Sequence, residues 1–461
     1  MSVGSRADLP STGGEPVPAS LSEPEFLVSA TMGSGGRLLG FRAVQFVFLF
    51  LLSLIATRAL GPEGRGQYAL ALNLATMVWV ISHLSVEQSV ARMMAREEAS
   101  LAELCRLSSF FAFALGLLGV AVTLAIGLPT RAALLGDANT ATVVLAAATI
   151  PFTLVGQMAT ALLLRMGLLR PYGWTIAVGA VIQFLLVIGL ELGVGLSPQL
   201  TMLAALLTIA GVALALTVVL ARRVGARALS PFAEPRLIRS ALHIGIRLQP
   251  ASIALWLNLK VDLFLVGLLA TTNEAGLYSL SASLADIVFT AVSTIALAAL
   301  EAQTRADAKA AASYTVDFIS QNIGVAVLLG LSAALVSYPF ITLVYGAEWE
   351  RSVLPFVLLM PAVVALAVEE PARGLLVRIA PPLVISAAAG AGLALNVALN
   401  FALVPTIGIS GASLASVLSY WLAGILMLYL LSRYGNVPMR DAIRLPRRDD
   451  ALPRLLRRVV G

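Results

Sequence analysis

The feature that most constrains this chain is a succession of apolar runs, most of them about twenty residues or longer. They fall at roughly 38–58, 66–91, 107–128, 140–164, 172–194, 199–221, 241–269, 275–299, 319–345, 352–379, 381–403 and 411–432. A helix needs roughly 20 apolar residues to cross the hydrocarbon of a bilayer. Lipid offers no partner to an unpaired backbone group, so only helices or a closed barrel can span it, and runs this long exclude the barrel. Composition agrees, with 59% hydrophobic and 12% charged residues, where soluble domains carry about 25% charged. The fold class is an all-α polytopic membrane protein with about twelve transmembrane helices.

Charge sets the expected orientation. With the N-terminus inside, 25 of the 31 Lys and Arg face the cytoplasm. Four (Arg58, Arg65, Arg131 and Arg351) fall outside, and Arg247 and Lys260 lie within a span. The positive-inside rule then predicts a multi-pass protein with both termini cytoplasmic. The same asymmetry explains the net charge of +6 without nucleic acid as a partner. Residues 1–35 are polar and rich in Gly, Pro, Ser and Glu, without the basic-then-apolar order of a signal peptide. They read as a disordered cytoplasmic tail, and 433–461 as a basic cytoplasmic tail.

The chain also echoes itself. Gly66-Gln-Tyr68-Ala-Leu70 returns as Gly276-Leu-Tyr278-Ser-Leu280, an offset of 210. Ala161-Leu-Leu-Leu-Arg165 returns as Gly374-Leu-Leu-Val-Arg378, and Gly195-Leu-Ser197 as Gly408-Ile-Ser410, both at 213. The basic stretch 222–240 lies at the midpoint and reads as a cytoplasmic linker. It would join an N-terminal six-helix lobe, 36–221, to a C-terminal one, 241–432. Six spans per lobe keep both copies in one orientation, which is the parallel-repeat design with a site between the halves.

Several chemistries have no place here. No loop is long enough for a catalytic domain, and no phosphate-cradling Gly-x4-Gly-Lys loop occurs. His83 and His243 are the two histidines, without metal-ligand spacing, and Cys105, the single cysteine, cannot form an intramolecular disulfide. The expectation is no enzyme, no cofactor and no metal.

The functional signal lies in 247–286. Arg247, Lys260 and Asp262 sit within the seventh span and Asp286 within the eighth. Charge at membrane depth is costly and is a functional hypothesis by default. At about 100° per residue, Arg247 and Asp262 share a broad face about 22 Å apart, and Lys260 points about 160° from Asp262. Lys260 and Asp286 lie about ten and eleven residues from the outer ends of antiparallel neighbours, so they should pair. Arg247 reads as an anion site facing the space between the lobes, since a guanidinium grips phosphate in forked geometry. The alternative is a side chain snorkelling to the surface, and Arg42, being shallower, fits that alternative better. Lys260 joins these two as a substrate-binding candidate, against a structural ion pair. Asp262 and Asp286 stand between coupling-ion chemistry and structural pairing. Glu87 reads as solvated near the inner interface, and Glu369-Glu370-Pro371 as a helix break acting as a hinge. Gln45, Asn73, Gln157, Gln183, Asn258, Asn396 and Asn400 read as interhelical glue.

Three segments carry a resemblance. They are Leu54-Ile-Ala-Thr-Arg-Ala-Leu-Gly-Pro-Glu-Gly-Arg-Gly-Gln-Tyr-Ala-Leu-Ala71, then Val261-Asp262 followed by Gly276-Leu-Tyr278-Ser, and Leu395-Asn-Val-Ala-Leu-Asn400-Phe-Ala-Leu-Val-Pro405-Thr-Ile-Gly408-Ile-Ser-Gly411-Ala412-Ser-Leu-Ala415. Together with the Tyr345-Gly346-Ala-Glu-Trp349 turn, they resemble the bacterial polysaccharide (oligosaccharide) flippases. That family belongs to the multidrug/oligosaccharidyl-lipid/polysaccharide exporter superfamily. The resemblance implies movement of a polyprenyl-diphosphate-linked oligosaccharide from inner to outer leaflet, by alternating access through a cationic cavity. It implies cavity roles for Arg247 and Asp262 and, more weakly, Arg42. It also implies a lipid-linked glycan, membrane lipids, a coupling proton or sodium ion and envelope polysaccharide machinery as partners. A drug/cation antiporter of the same superfamily is the rival, and should show an acidic, aromatic-lined pocket. A non-transporting envelope-assembly scaffold is another, and should show a closed lobe interface with its charges fully paired.

Overall fold

The computed structural model describes residues 24–136, 138–305 and 308–438. Among these are thirteen α-helices, eleven of them in segments long and apolar enough to cross a membrane. Helix α1, Pro24–Ser82, contributes a 43-residue apolar segment, Gly40–Ser82. At 1.5 Å per residue that is roughly twice the ~30 Å hydrocarbon thickness. Gly61 divides it, with φ 63° and ψ 176°, a conformation that glycine adopts without strain. Pro62 then opens the second arm, where its missing N–H costs nothing. Counting two arms gives twelve crossings, in accord with the apolar runs.

The remaining helices are α2 (Val86–Ala95), α3 (Leu101–Gly127), α4 (Arg131–Leu134), α5 (Thr140–Arg165), α6 (Leu169–Val194) and α7 (Pro198–Val224). They continue with α8 (Pro235–Leu269), α9 (Thr272–Arg305), α10 (Ala308–Phe340), α11 (Val353–Ile379), α12 (Pro382–Ile407) and α13 (Ile409–Gly435). Helices α1, α3, α5, α6 and α7 pack mainly on one another, as do α8 to α13. The two groups meet where α1 lies against α8 and α9 and where α2 lies against α8. Large apolar side chains such as Phe113, Leu185, Leu192, Leu328 and Leu335 point outward, as a lipid-facing surface requires.

Several boundaries differ from expectation. Residues 1–23 of the predicted disordered tail and 439–461 of the basic tail lie outside the described residues. From Pro24 the backbone is helical, the proline standing at a first helical position ahead of apolar Phe26, Leu27 and Val28. The second run, 66–91, is split by a turn at 83–85, where Leu84 and Ser85 take positive φ (50° and 48°). The linker 222–240 is shortened by the end of α7 and the start of α8. Glu369-Glu370-Pro371 is no break, because α11 runs through it. Tightly packed neighbours let a buried membrane helix keep an internal proline.

Candidate substrate cavity

The second arm of α1 and helix α9 approach until their backbones touch. A Cβ added to Gly66 would overlap the Thr272 carbonyl oxygen, and one added to Gly276 would overlap that of Pro62. These are the glycines of the two Gly-x-Tyr echoes, so the echoed segments face each other. Their contact forms a seam at the end of the bundle away from most of the arginine-rich connections. Gly136, at φ 59°, tightens it, since a side chain there would overlap Thr272. Arg351 pairs with Glu274 at the same end.

Below the seam, α1, α8 and α9 enclose a cavity of about 290 Å³. Its polar lining includes Arg65, Tyr68, Asn73, Lys260, Asp262, Ser279, Ser283 and Asp286, set among aliphatic Leu52, Leu60, Leu259 and Leu263. A recess of about 40 Å³, walled by Tyr278, Phe289 and Tyr420, shares Lys260, Asp262 and Asp286 with it. Lys260 and Asp286 form the pair that depth arithmetic predicts, Nζ to Oδ2 3.1 Å, with both side chains partly open (33% and 55% exposed). Asp262 is buried, and its Oδ2 accepts from the Tyr278 hydroxyl at 2.6 Å and the Ser416 hydroxyl at 2.9 Å. Its Oδ1 accepts from the Leu263 backbone N–H at 2.7 Å. Asn73 donates to the Lys260 carbonyl (2.8 Å), while Asn396 (3.3 Å) and Tyr420 (3.1 Å) donate to that of Asn258. These bonds fix α8 against α1, α12 and α13, the interhelical role expected of Asn73 and Asn396, whereas the Asn400 amide bonds Asn396 within α12.

Arg65 is the residue that sequence reasoning misplaced. The apolar runs 38–58 and 66–91 leave it in an outer loop, but it lies one turn inside the second arm and is only 9% exposed. Its Nε donates to Ser279 Oγ at 2.9 Å, and its Nη2 to Ser283 Oγ at 3.1 Å and the Ser279 carbonyl at 3.4 Å. Its Nη1 donates to Thr57 Oγ1. None of the described carboxylates pairs with it, so its charge rests on neutral oxygens. Pro62, as a helix opener three residues earlier, was the available signal.

Arg247 and Arg42 are not brought into this cavity. Arg247 is exposed on α8, while Asp262 is buried, so the shared face is not realised. Over about 22 Å the helix changes neighbours, and at the depth of Asp262 it is covered by α12 and α13. Arg42, also exposed, donates to the Tyr172 hydroxyl at 2.6 Å and to Gln45 Oε1 at 3.2 Å, its guanidinium 5.6 Å from the Tyr172 ring centre. The cavity therefore holds two cations and two carboxylates, a balance that replaces the expected cationic interior.

At the basic end, Gln249 of α8 donates to the Val80 carbonyl at 2.7 Å and the Ile81 carbonyl at 3.1 Å. It accepts from the Ser85 hydroxyl at 2.8 Å. Glu87, expected to be solvated, is half-buried, 3.6 Å from His83 Nε2. Burial pushes its carboxyl above the usual carboxylate range, with the His83 ring opposing. Among the described residues no group of three or more His, Cys, Asp or Glu could hold a metal.

Comparison with known proteins bears on the whole arrangement. The family model described as "Polysaccharide biosynthesis protein" matches residues 36–300. An inward-facing multidrug resistance MATE family transporter of the MOP superfamily superposes with TM-score 0.64 at 15% identity, over 88% of this chain and 100% of that one. The lipid II flippase MurJ, in an inward closed conformation, gives 0.64 at 12% identity over 90% and 92%. A MOP superfamily transporter from Pyrococcus furiosus, described by the reverse polarity of its binding pocket, gives 0.60 at 12% over 88% and 94%. At these identities the likeness is one of fold. No curated protein matches in sequence.

Proposed function

This chain belongs to the polysaccharide biosynthesis protein family, and from that premise we propose that it flips a polyprenyl-diphosphate-linked oligosaccharide from the inner to the outer leaflet. Alternating access between two six-helix lobes, 36–221 and 241–432, joined by the 222–240 linker, carries the cargo. The observation that supports this reading best is the cavity between α1, α8 and α9, where Arg65 has only neutral partners. A buried guanidinium on hydroxyls retains charge for a phosphate oxygen. The aliphatic walls around it suit an isoprenoid rather than a flat aromatic drug. Arg42 and Arg247, exposed nearer the basic end, give the carrier's diphosphate its first contacts, and Lys260 receives it deeper. Asp262 and Asp286 are the sites at which a proton or sodium ion couples. The protein would work in the inner membrane, both termini cytoplasmic, beside the envelope polysaccharide machinery.

The test is reconstitution in vesicles carrying a fluorescent polyprenyl-diphosphate-linked oligosaccharide, with a membrane-impermeant glycosidase reading the outer leaflet. Faster exposure of the glycan than in protein-free vesicles is expected, and equal rates would sink the proposal. The two carboxylates of the cavity favour a second reading, a drug/cation antiporter. Export of a cationic dye by the same vesicles, without glycan movement, would establish it instead.

A further inference from the structure

We propose that Arg65 is an anion-operated latch, which holds the seam shut while the cavity is empty and releases it when a phosphate-bearing headgroup takes over the guanidinium. The inference rests on the carrier-diphosphate reading for the identity of the anion, but the latch itself rests on geometry. Arg65 does two things at once. It lines the cavity, and it bonds across the seam, from α1 to Ser279 and Ser283 of α9. Those bonds lie one to two turns along α9 from Gly276, where the two backbones touch.

The competition has a definite direction. Every described partner of Arg65 is a hydroxyl or a carbonyl. A phosphate oxygen brings a full opposite charge and accepts the guanidinium fork in two parallel bonds, whereas each serine offers the same cation only an uncharged acceptor. A diphosphate entering the cavity therefore outcompetes Ser279 and Ser283, and each contact it captures is one removed from the seam. The glycines add the other half of the device. With no side chains interlocked at Gly66 and Gly276, the helices can part without unthreading a packed knob. Lys260 already has a carboxylate partner in Asp286, so of the two cavity cations Arg65 is the one whose described partners are all uncharged.

The experiment uses full-length protein in vesicles, with Cys105→Ala to remove the native thiol and Ala282→Cys to place a reporter on the cavity wall of α9. A membrane-impermeant maleimide is applied at the face bearing the seam. Farnesyl diphosphate is the probe and farnesol its control. In the parent, farnesyl diphosphate should raise the labelling rate about tenfold and farnesol should not. Arg65→Gln should label about tenfold faster without ligand, since losing the guanidinium's hydrogen bonds to Ser279 and Ser283 unlatches the seam, and it should no longer respond to the diphosphate. Arg65→Lys, keeping charge but not the fork, should fall between. Labelling of Arg65→Gln at the parent rate overturns the latch, whatever happens to glycan flipping. A parent that binds farnesyl diphosphate, seen as a thermal shift, without faster labelling overturns its operation by anions. Failure of the glycosidase assay with both labelling results intact would overturn the cargo instead.

Discussion

At the scale of single residues, the charges of the cavity differ in how far the fold encloses them. Asp262 is buried and reached by Tyr278, Ser416 and a backbone N–H. Tyr278→Phe removes the shortest of these bonds and leaves a buried carboxylate short of a donor, a loss of about 1.5–3 kcal/mol. Ser416→Ala should cost less, because its hydroxyl is also placed to bond the Ala412 carbonyl at 3.0 Å. Thermal unfolding in detergent checks the order, and a larger shift for Ser416→Ala would reverse the assignment. The Lys260–Asp286 pair behaves otherwise. Both side chains are partly open, so the pair adds at most about 1 kcal/mol to stability. Lys260→Ala and Asp286→Ala should melt near the parent temperature yet lose most glycan flipping, and the exchange Lys260→Asp with Asp286→Lys should restore part of it. Equal flipping by the single variants would make the pair structural. This pair was legible beforehand because antiparallel helices convert residue counts into depth. The bonds of Asp262 were not, because Tyr278 and Ser416 lie 16 and 154 residues away and packing alone joins them.

At the scale of elements, lengths and hydropathy made nearly every span readable, even the weakly marked boundary at Pro381-Pro382, where α11 ends and α12 begins. What remained hidden were places where tertiary packing outweighs local preference. Glu369-Glu370-Pro371 looks like a break, yet α11 is so enclosed that the helix continues. Arg65 looks like a loop charge because it closes the charged stretch that begins with Arg58 and Glu63, yet Pro62 starts the helix before it. The α1–α2 turn is a third case. Leu84 and Ser85 take positive φ there, an uncommon conformation for residues other than glycine, and Gly245 of α8 leaves room only for the Leu84 carbonyl. Glu87 begins the next helix with a carboxyl that burial holds above its ordinary 4.5. The folded state then favours the protonated form, so the cost of ionising Glu87 is absent below about pH 4.5 and rises as pH climbs through the folded value. Glu87→Gln should therefore melt above the parent at pH 7.5 and close to it at pH 4.5. A difference that shrinks with rising pH would show that the His83 contact outweighs burial.

At the scale of the whole molecule, the two helix groups touch at both ends of the central cavity. The Gly66–Gly276 seam closes one end. The bonds of Gln249 to Val80, Ile81 and Ser85 tie the other. A carrier that admits cargo at one face and releases it at the other must open these ends in turn, so pinning either should arrest it. Ser85 and Ser252 offer the pin, because their hydroxyl oxygens lie 3.1 Å apart across the α1–α2 turn and α8. In a Cys105→Ala background, Ser85→Cys with Ser252→Cys should cross-link on mild oxidation. Glycan flipping should then fall to the protein-free rate and return after reduction, while each single cysteine variant ignores the oxidant. The Arg65 latch adds a directional check. With the basic end cross-linked, farnesyl diphosphate should still speed labelling of Ala282→Cys, since the seam remains free to part while the cargo has no way in through the basic end. Full flipping by the cross-linked protein would mean that this end never opens, and that the glycan passes by a route outside the α1–α8–α9 cavity.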